Sequence, residues 1–256
     1  MSWALIKYHL RRNWILWLVV TGVCVFYLAF IVFTKELLED IMNSFLPEEM
    51  PTTNMNILEY TAVSFFVGVV FMFPMVYYIM VAWRMVGRAV DNTSMSAYLS
   101  SSMSRNNYIT SSAVFLLGSI FAMFLLLFGL AAVFMVIMEP FNVLYLLSVT
   151  VITMLLTMMF AMASFFMSCL FAGAKGGLGA VIGIPAGCYV LFMIGGLVMD
   201  ISWLEWFVYV TPFGWFDMAK IATGGGRWWV NFIYLAVTAA LFVGSLFLFR
   251  RKQLSI

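Results

Sequence analysis

Long apolar stretches separated by short polar segments dominate the pattern of residues along the chain. A helix that crosses the hydrocarbon core of a bilayer needs about 20 mostly apolar residues. Six stretches meet this length, so the sequence predicts six membrane-spanning helices. With ends uncertain by several residues, the predicted spans 1 to 6 are Trp14–Phe33, Tyr60–Trp83, Ile109–Met138, Phe141–Ala172, Leu178–Met199 and Trp229–Phe249.

Composition supports this prediction and sets the fold class. Of the 256 residues, 65% are hydrophobic and 9% are charged, and the mean hydropathy is +1.06, far above the soluble range. We therefore predict an all-α integral membrane protein that forms a single domain over residues 1–256. The net charge of +2 is too small to indicate a nucleic-acid partner. Predicted spans 3 and 4 exceed one crossing, so we expect them to tilt or to project beyond the hydrocarbon.

The distribution of charge predicts the orientation. Basic residues gather on the termini and the even-numbered connections, whereas acidic residues gather on the odd-numbered ones. By the positive-inside rule both termini of this multi-pass protein are predicted to be cytoplasmic. The basic residues on the predicted inner side are Lys7, Arg11, Arg12, Arg84, Arg88, Arg105, Lys175, Arg250, Arg251 and Lys252.

The residues before span 1 have helical spacing of their own. Trp3, Ile6, Leu10 and Trp14 recur on one face, which predicts a helix lying in the inner membrane interface. We place the chain's one histidine, His9, on the polar face of that helix. The apolar run that follows is too long for a cleaved signal peptide, so it is interpreted as a retained anchor.

The predicted spans contain no clearly intramembrane ionisable residue. Ion-coupled transporters and charge-selective channels usually bury such groups. The chain also has no pattern of catalytic or metal-ligating residues, so we expect a protein that is not an enzyme.

The three cysteines, Cys24, Cys169 and Cys188, are interpreted as core residues. The glycine-rich segment 173–179 lacks the ending of a phosphate loop and is predicted to be a tight turn, so no nucleotide-binding domain or cofactor is expected in this chain.

The most polar stretch of the chain, residues 91–105, connects spans 2 and 3. Asp91 or Asn92 can cap a short helix. On that helix Tyr98 and Leu99 lie near one side, while Ser94 and Ser100 occupy the remainder. Such an amphipathic helix can lie on the membrane surface, or it can dock into a groove of another protein.

This stretch resembles the segment before the third span in the type 2 ABC-transporter permeases. In that family it commonly has an acidic residue, Gly-Thr-Leu, a short helix, Leu-Leu-Ser-x-Pro and then Ser-Arg. The matching positions here are Asp91, Thr93 to Met95, Tyr98 to Ser102, and Ser104 with Arg105. Thr93 stands where glycine is usual and Ser102 where proline is usual. The layout of the whole chain is similar as well, including the basic C-terminus that begins at Phe249.

The resemblance implies one permease subunit of an ABC exporter, paired with a second permease that is identical or paralogous. Each permease would dock on a separate ATPase subunit, in two copies, which would bind ATP and Mg²⁺. The helix around Ser94 to Ser101 would then be the coupling helix that transmits ATPase closure to the spans. The residues implied in this coupling are Asp91, Ser94, Tyr98, Leu99, Ser100 and Arg105.

Spans 2 and 5 have features suited to lining a pathway, which is their place in the family that the chain resembles. Pro74 and Pro185 each remove a helical hydrogen bond and favour a bend. Gly179, Gly183 and Gly187 form a smooth stripe that allows another helix to approach closely. The alternative is that glycine and proline are simply common in membrane helices.

The connection between spans 5 and 6 is rich in aromatic residues. The resemblance implies a partly helical outer loop that forms an outer gate, to which we assign Pro212, Phe213 and Trp215. Simple anchoring in the membrane interface is the alternative. The methionine- and phenylalanine-rich chain could provide an adaptable apolar lining for a hydrophobic or amphipathic cargo such as a peptide or toxin. Lipid-facing side chains or codon bias explain the same composition at least as well. Two other functions stay open at this point: an ATP-independent channel or facilitator, and a membrane immunity or scaffold protein.

Overall fold

A computed structural model of the protein describes residues 2–37, 56–91, 104–174, 176–197 and 205–251. Within these ranges the chain forms helices and turns and contains no strand, which confirms the all-α prediction. Six helical stretches are long and apolar enough to cross a membrane, as the hydropathy pattern predicts. These spans are span 1, Trp3–Phe33; span 2, Ile57–Val90; span 3, Arg105–Met138; span 4, Val143–Leu170; span 5, Gly177–Leu197; and span 6, Val230–Arg251.

The N-terminal segment is not a separate interfacial helix. Residues 3–13 are helical, but they continue without interruption into span 1. The placement of His9 on a polar face is wrong, because its side chain is only 2% exposed and its Nε2 lies 3.2 Å from Ser112 Oγ of span 3. One side of this part of span 1, with Leu5, His9 and Asn13, is therefore buried, and a hydroxyl group of span 3 lies within hydrogen-bond distance of the His9 ring.

Two spans begin at capping side chains that the sequence supplies. Ser104 Oγ accepts a hydrogen bond from the Asn107 N–H at the start of span 3. Asn142 Oδ1 accepts one from the Leu144 N–H at the start of span 4. Each bond satisfies a backbone donor that has no partner within its helix. Span 3, at 34 residues, is far longer than one crossing requires, as predicted.

Span 4 lies at the centre of the bundle and packs against spans 2, 3, 5 and 6. Its buried threonines donate their hydroxyls to carbonyls one turn earlier in the same helix: Thr150 to Leu146, Thr153 to Val149 and Thr157 to Thr153, at 2.7–2.8 Å. This bonding lets polar side chains occupy an apolar core. Span 5 is the least covered: 17% of its most apolar stretch is buried, against 50% for span 4.

The glycine-rich segment after span 4 begins with a turn, as predicted, but its last residues, from Gly177 on, already belong to span 5. Gly173 and Gly176 have φ angles of 81° and 85°, which favour glycine. The Ala174 N–H donates to the Phe171 carbonyl, and the Gly177 N–H donates to the Ala174 carbonyl. The backbone groups of the turn are therefore partly engaged with one another, and span 5 begins directly after it.

Span 2 is irregular, but the irregularity precedes the proline. An α-helix at Ile57–Thr61 passes into a π-helix at Ala62–Val69, and an α-helix follows at Val70–Met85. At the end of the π-helix the Val70 N–H donates to the Phe65 carbonyl, five residues earlier. The ring of Pro74 crowds the carbonyl of Val70 and offers it no N–H. A wider turn just before the proline accommodates both effects.

Candidate functional site

Phe213 lies at the centre of an aromatic cluster at the end of the bundle opposite the N-terminus. It belongs to a 3₁₀-helix, Pro212–Trp215, between spans 5 and 6, and its side chain is 4% exposed. Four rings from three spans surround it, with centroids 4.8–5.8 Å from its own. They are Phe71 of span 2, Phe160 of span 4, and Tyr189 and Phe192 of span 5. We call Phe213 and these four rings the Phe213 cluster.

The geometry of the Phe213 cluster is typical of attractive aromatic contacts. Phe71 meets the Phe213 ring edge to face, at an interplanar angle of 85°. Phe160 stacks on it at 19°, with centroids 5.0 Å apart. Edge-to-face and offset stacked pairs each add about 0.5–1.5 kcal/mol beyond the burial of their area. Phe213 therefore fills the space where spans 2, 4 and 5 converge.

Side chains around the 3₁₀-helix hold Phe213 in this position. The Tyr234 hydroxyl of span 6 donates a 2.6 Å hydrogen bond to the Pro212 carbonyl. Trp215 stacks on the Tyr234 ring at an angle of 11°, and its Nε1–H donates to the Tyr209 carbonyl at 2.9 Å. The three predicted gate residues thus lie together in one structured element. Of the three, Phe213 is the one that enters the bundle, whereas Pro212 and Trp215 anchor the element to span 6 and to the preceding helix, Glu205–Val210.

The irregular part of span 2 contributes directly to this region. The Tyr189 hydroxyl of span 5 donates to the carbonyl of Gly68, inside the π-helix, at 3.3 Å. A π-helix shifts carbonyls from their usual intrahelical partners, so a side chain from another helix can bond to one. Tyr189 therefore connects spans 2 and 5 and contacts Phe213 at the same time.

A cavity of about 570 Å³ adjoins the Phe213 cluster. Its walls come from the π-helix of span 2, from span 5 and from the segment 208–227. The apolar part of the wall includes Val63, Val67 and Phe192, and the charged part includes Asp217, Lys220 and Arg227. Partial burial raises the pKa of the Asp217 carboxyl, but hydrogen bonds from Lys220 and its positive charge outweigh this and bring the pKa below its ordinary value. The cavity thus combines an apolar wall with an ion-paired rim.

The residues predicted to line a pathway are not gathered at one point. Pro74 lies in span 2 and Pro185 in span 5; both are buried, and the helices continue across them. At Gly179, Gly183 and Gly187, a methyl group added to the Cα would meet nothing within 4 Å. The glycine stripe is therefore open, and no helix of the described part of the chain approaches it closely. Contact with a second chain stays a prediction.

Most residues of the predicted coupling helix, Ser94, Tyr98, Leu99 and Ser100, lie outside the residues that the structure describes. Asp91 ends the short helix Gly87–Asp91, and Arg105 begins span 3. The predicted coupling helix therefore connects the end of one described helix to the start of another.

An ion pair at the same end of the bundle as the Phe213 cluster was not predicted. Lys35, just after span 1, places its Nζ 2.9 Å from Glu139 Oε1 at the end of span 3. The Ile57 N–H at the start of span 2 donates to Glu139 Oε2 at 3.3 Å. A carboxylate at the start of a helix is favourable, and here it joins the ends of three spans. Each partner is visible in the sequence as a charge next to an apolar run, but nothing in the sequence shows that they meet.

The Glu139 carboxyl is stabilised in its ionised form. The hydrogen bond from Lys35 is the main reason that its pKa lies below the ordinary value. The bond from the Ile57 N–H and the charge of Lys35 also lower the pKa, whereas partial desolvation raises it.

Comparison of the chain with protein-family models, with curated proteins and with solved structures found no match.

Proposed function

We propose that this chain is a permease subunit of an ATP-driven ABC exporter, with a hydrophobic or amphipathic cargo such as a peptide or toxin. It would sit in the bacterial plasma membrane with both termini in the cytoplasm. Two ATPase subunits and a second permease would complete the assembly. The proposal rests on the sequence resemblance around residues 91–105 together with the six apolar spans.

The observation that carries the proposal furthest is the Phe213 cluster. A buried phenylalanine from a short helix closes the space between spans 2, 4 and 5. Spans 2 and 5 are the ones that the resemblance assigns to the pathway. A ring held by contacts with several helices can leave this space when those helices move apart, which is what an outer gate requires.

The placement of ionisable side chains supports an external source of energy. Among the described residues, the buried basic side chains are His9 and Lys35, near the N-terminal end of span 1 and just after its other end. An ion-coupled transporter would bury such groups near the middle of its spans. A separate ATPase acting through a cytoplasmic helix would supply the energy without them.

The decisive experiment substitutes Leu99 with Asp in the predicted coupling helix. We expect the variant to insert in the membrane but to lose copurification with the ABC ATPase that the proposal requires, because a carboxylate would disrupt a mostly uncharged docking face. Leu37→Asp is the matched control: Leu37 is exposed and follows the C-terminal end of span 1, away from the predicted coupling helix. Equal copurification of the Leu99→Asp variant and the wild type would contradict the proposal.

Transport assays distinguish the other two functions. Vesicles that contain the chain with its ATPase should export a fluorescent amphipathic peptide only when ATP is present. Transport that persists without an ATPase would identify a channel or facilitator. Protection of cells from a toxin without movement of any peptide would identify an immunity protein.

A further inference from the structure

A second cavity lies away from the Phe213 cluster, between the first half of span 1 and span 3. It is a groove of about 780 Å³, which is within the range of about 300–1,000 Å³ that is usual for ligand sites. Leu10, Leu18, Val114 and Phe115 provide much of its apolar wall, and Tyr77 of span 2 contributes to it. We call this cavity the span 1–3 groove. The groove runs along span 1 from Trp3 to Leu18, a length that suits an extended acyl chain.

Two buried polar atoms of the groove lack a hydrogen bond of regular geometry. Asn13 is 2% exposed; its Nδ2 donates to the His9 carbonyl at 3.0 Å, whereas its Oδ1 has no donor. The Tyr77 hydroxyl, fully buried and facing Ser119, also makes no hydrogen bond of regular geometry. An unpaired buried acceptor costs about 1–3 kcal/mol. A ligand that supplies a hydroxyl donor would remove this cost.

The charge around the groove selects the type of ligand. Arg11 lines the groove, and the exposed Lys7 and Arg12 lie on the same stretch of span 1. No acidic side chain is found among the described residues that line it. Basic pockets between membrane helices bind anionic lipid head groups. Trp3, Trp14 and Trp17 also line the groove, and tryptophan is typical of the membrane interface.

We propose that the span 1–3 groove binds one phosphatidylglycerol molecule from the leaflet on the side of the N-terminus. One acyl chain lies along the apolar wall toward Leu18. The phosphate pairs with Arg11, and a glycerol hydroxyl of the head group donates to Asn13 Oδ1. A phosphatidylcholine head group has no donor for this oxygen. The site is independent of the proposed transport function, since none of its lining residues belongs to the Phe213 cluster.

The test fills the groove without disturbing the helix that carries it. Gly118 of span 3 lines the groove, and a methyl group added there would meet nothing within 4 Å, so Gly118→Leu should fold. Gly129, on the same helix, is equally open but lies outside the groove, so Gly129→Leu is the matched control. The full chain is reconstituted in vesicles of equal parts phosphatidylglycerol and phosphatidylcholine. It is then extracted in mild detergent, and its retained lipid is measured by native mass spectrometry.

We expect the wild type and the Gly129→Leu variant to retain one phosphatidylglycerol. The Gly118→Leu variant should retain about tenfold less, a change of about 1.4 kcal/mol in binding, because the leucine side chain would occupy space that the lipid needs. Arg11→Gln should lower retention several-fold. Arg12→Gln should leave it unchanged, because Arg12 lies outside the groove and its Nη1 donates to the Tyr8 hydroxyl.

Three results would overturn the proposal. The first is equal retention of phosphatidylcholine, which would mean that the head group is not recognised. The second is an equal loss in the two arginine variants, which would mean unspecific attraction to the basic segment. The third is unchanged retention in Gly118→Leu, which would place the lipid elsewhere and leave the groove to water or detergent.

Discussion

Around Phe213, four rings from three spans close on one side chain, whereas the span 1–3 groove leaves about 780 Å³ open between three spans of the same protein. Both regions are rich in aromatic residues. They differ in how polar groups are satisfied: Tyr234 beside Phe213 has a 2.6 Å hydrogen bond, while Tyr77 in the groove has none of regular geometry. Aromatic composition alone therefore does not determine whether a region of this bundle is closed or open.

The largest effect is expected from Phe213→Ala, which removes the ring that closes the first region. Truncating a buried phenylalanine costs about 3–5 kcal/mol through lost contacts and the cavity left behind. Unfolding in detergent micelles, titrated with sodium dodecyl sulfate, measures the change. Phe121→Ala is the control, because Phe121 is 50% exposed. Similar losses in the two variants would mean that Phe213 does not close the bundle.

The ion pair between Lys35 and Glu139, at the same end of the bundle, tests whether charge contributes to stability in addition to aromatic packing. Glu139→Gln should lower the free energy of unfolding by about 1.5–2 kcal/mol, since it weakens hydrogen bonds to a charged group and leaves Lys35, 4% exposed, with less compensation. Asp217→Asn is the matched control. It weakens the pair between Asp217 and Lys220, whose side chains are 50% and 73% exposed, respectively. Because the pair is exposed, its loss should change the free energy of unfolding by less than about 1 kcal/mol. A larger loss from Asp217→Asn would reverse this ranking.

The pH dependence of the same pair gives a smaller effect. Because the folded-state pKa of Glu139 lies below its ordinary value of 4.5, its contribution is complete above that pH. The contribution is lost as the pH falls through the folded-state pKa. The difference in midpoint temperature between the wild type and Glu139→Gln should therefore be constant from pH 7 to 6 and shrink below pH 4.5. A difference that grows on acidification would contradict this sign.

The smallest effect sharpens the contrast between the two regions. Tyr234 and Tyr77 are both fully buried. Replacing Tyr234 with Phe removes a hydroxyl that makes a hydrogen bond, whereas replacing Tyr77 removes one that makes none of regular geometry. Tyr234→Phe should cost about 1–1.5 kcal/mol, because the Pro212 carbonyl loses its donor. Tyr77→Phe should cost less than about 0.5 kcal/mol in lipid-free detergent. If the two variants are equally destabilised, the Tyr77 hydroxyl has a partner.

The number of spans and most of their ends could be predicted from the sequence, because a long apolar run has one stable form in a bilayer. The turn around Gly173 and Gly176 could be predicted as well, because glycine tolerates the required backbone angles. The packing of individual side chains could not. His9 is polar, yet it is buried, because Ser112 lies opposite it on a helix about 100 residues away in sequence.

The position of Phe213 between spans 5 and 6 follows from the sequence, whereas its role in an outer gate stays a prediction. The segment that contains Phe213 was assigned to an outer gate through the resemblance, but its many aromatic residues gave no reason to choose one ring as the inserted one. The π-helix before Pro74 also has no signal in the hydropathy pattern, since it changes hydrogen bonds without changing composition. Both features depend on contacts between spans that are distant in the chain.

The threonine hydroxyls of span 4 have a mechanical consequence. Thr150, Thr153 and Thr157 bond to carbonyls of their own helix, so a neighbouring helix can slide along this surface without exchanging those hydrogen bonds. The polar link from Ser164 of span 4 to span 5 is weak, because its hydroxyl donates to the Val181 carbonyl at 3.4 Å. A shift of span 5 relative to span 4 would therefore break this one weak hydrogen bond and leave the three threonine bonds intact.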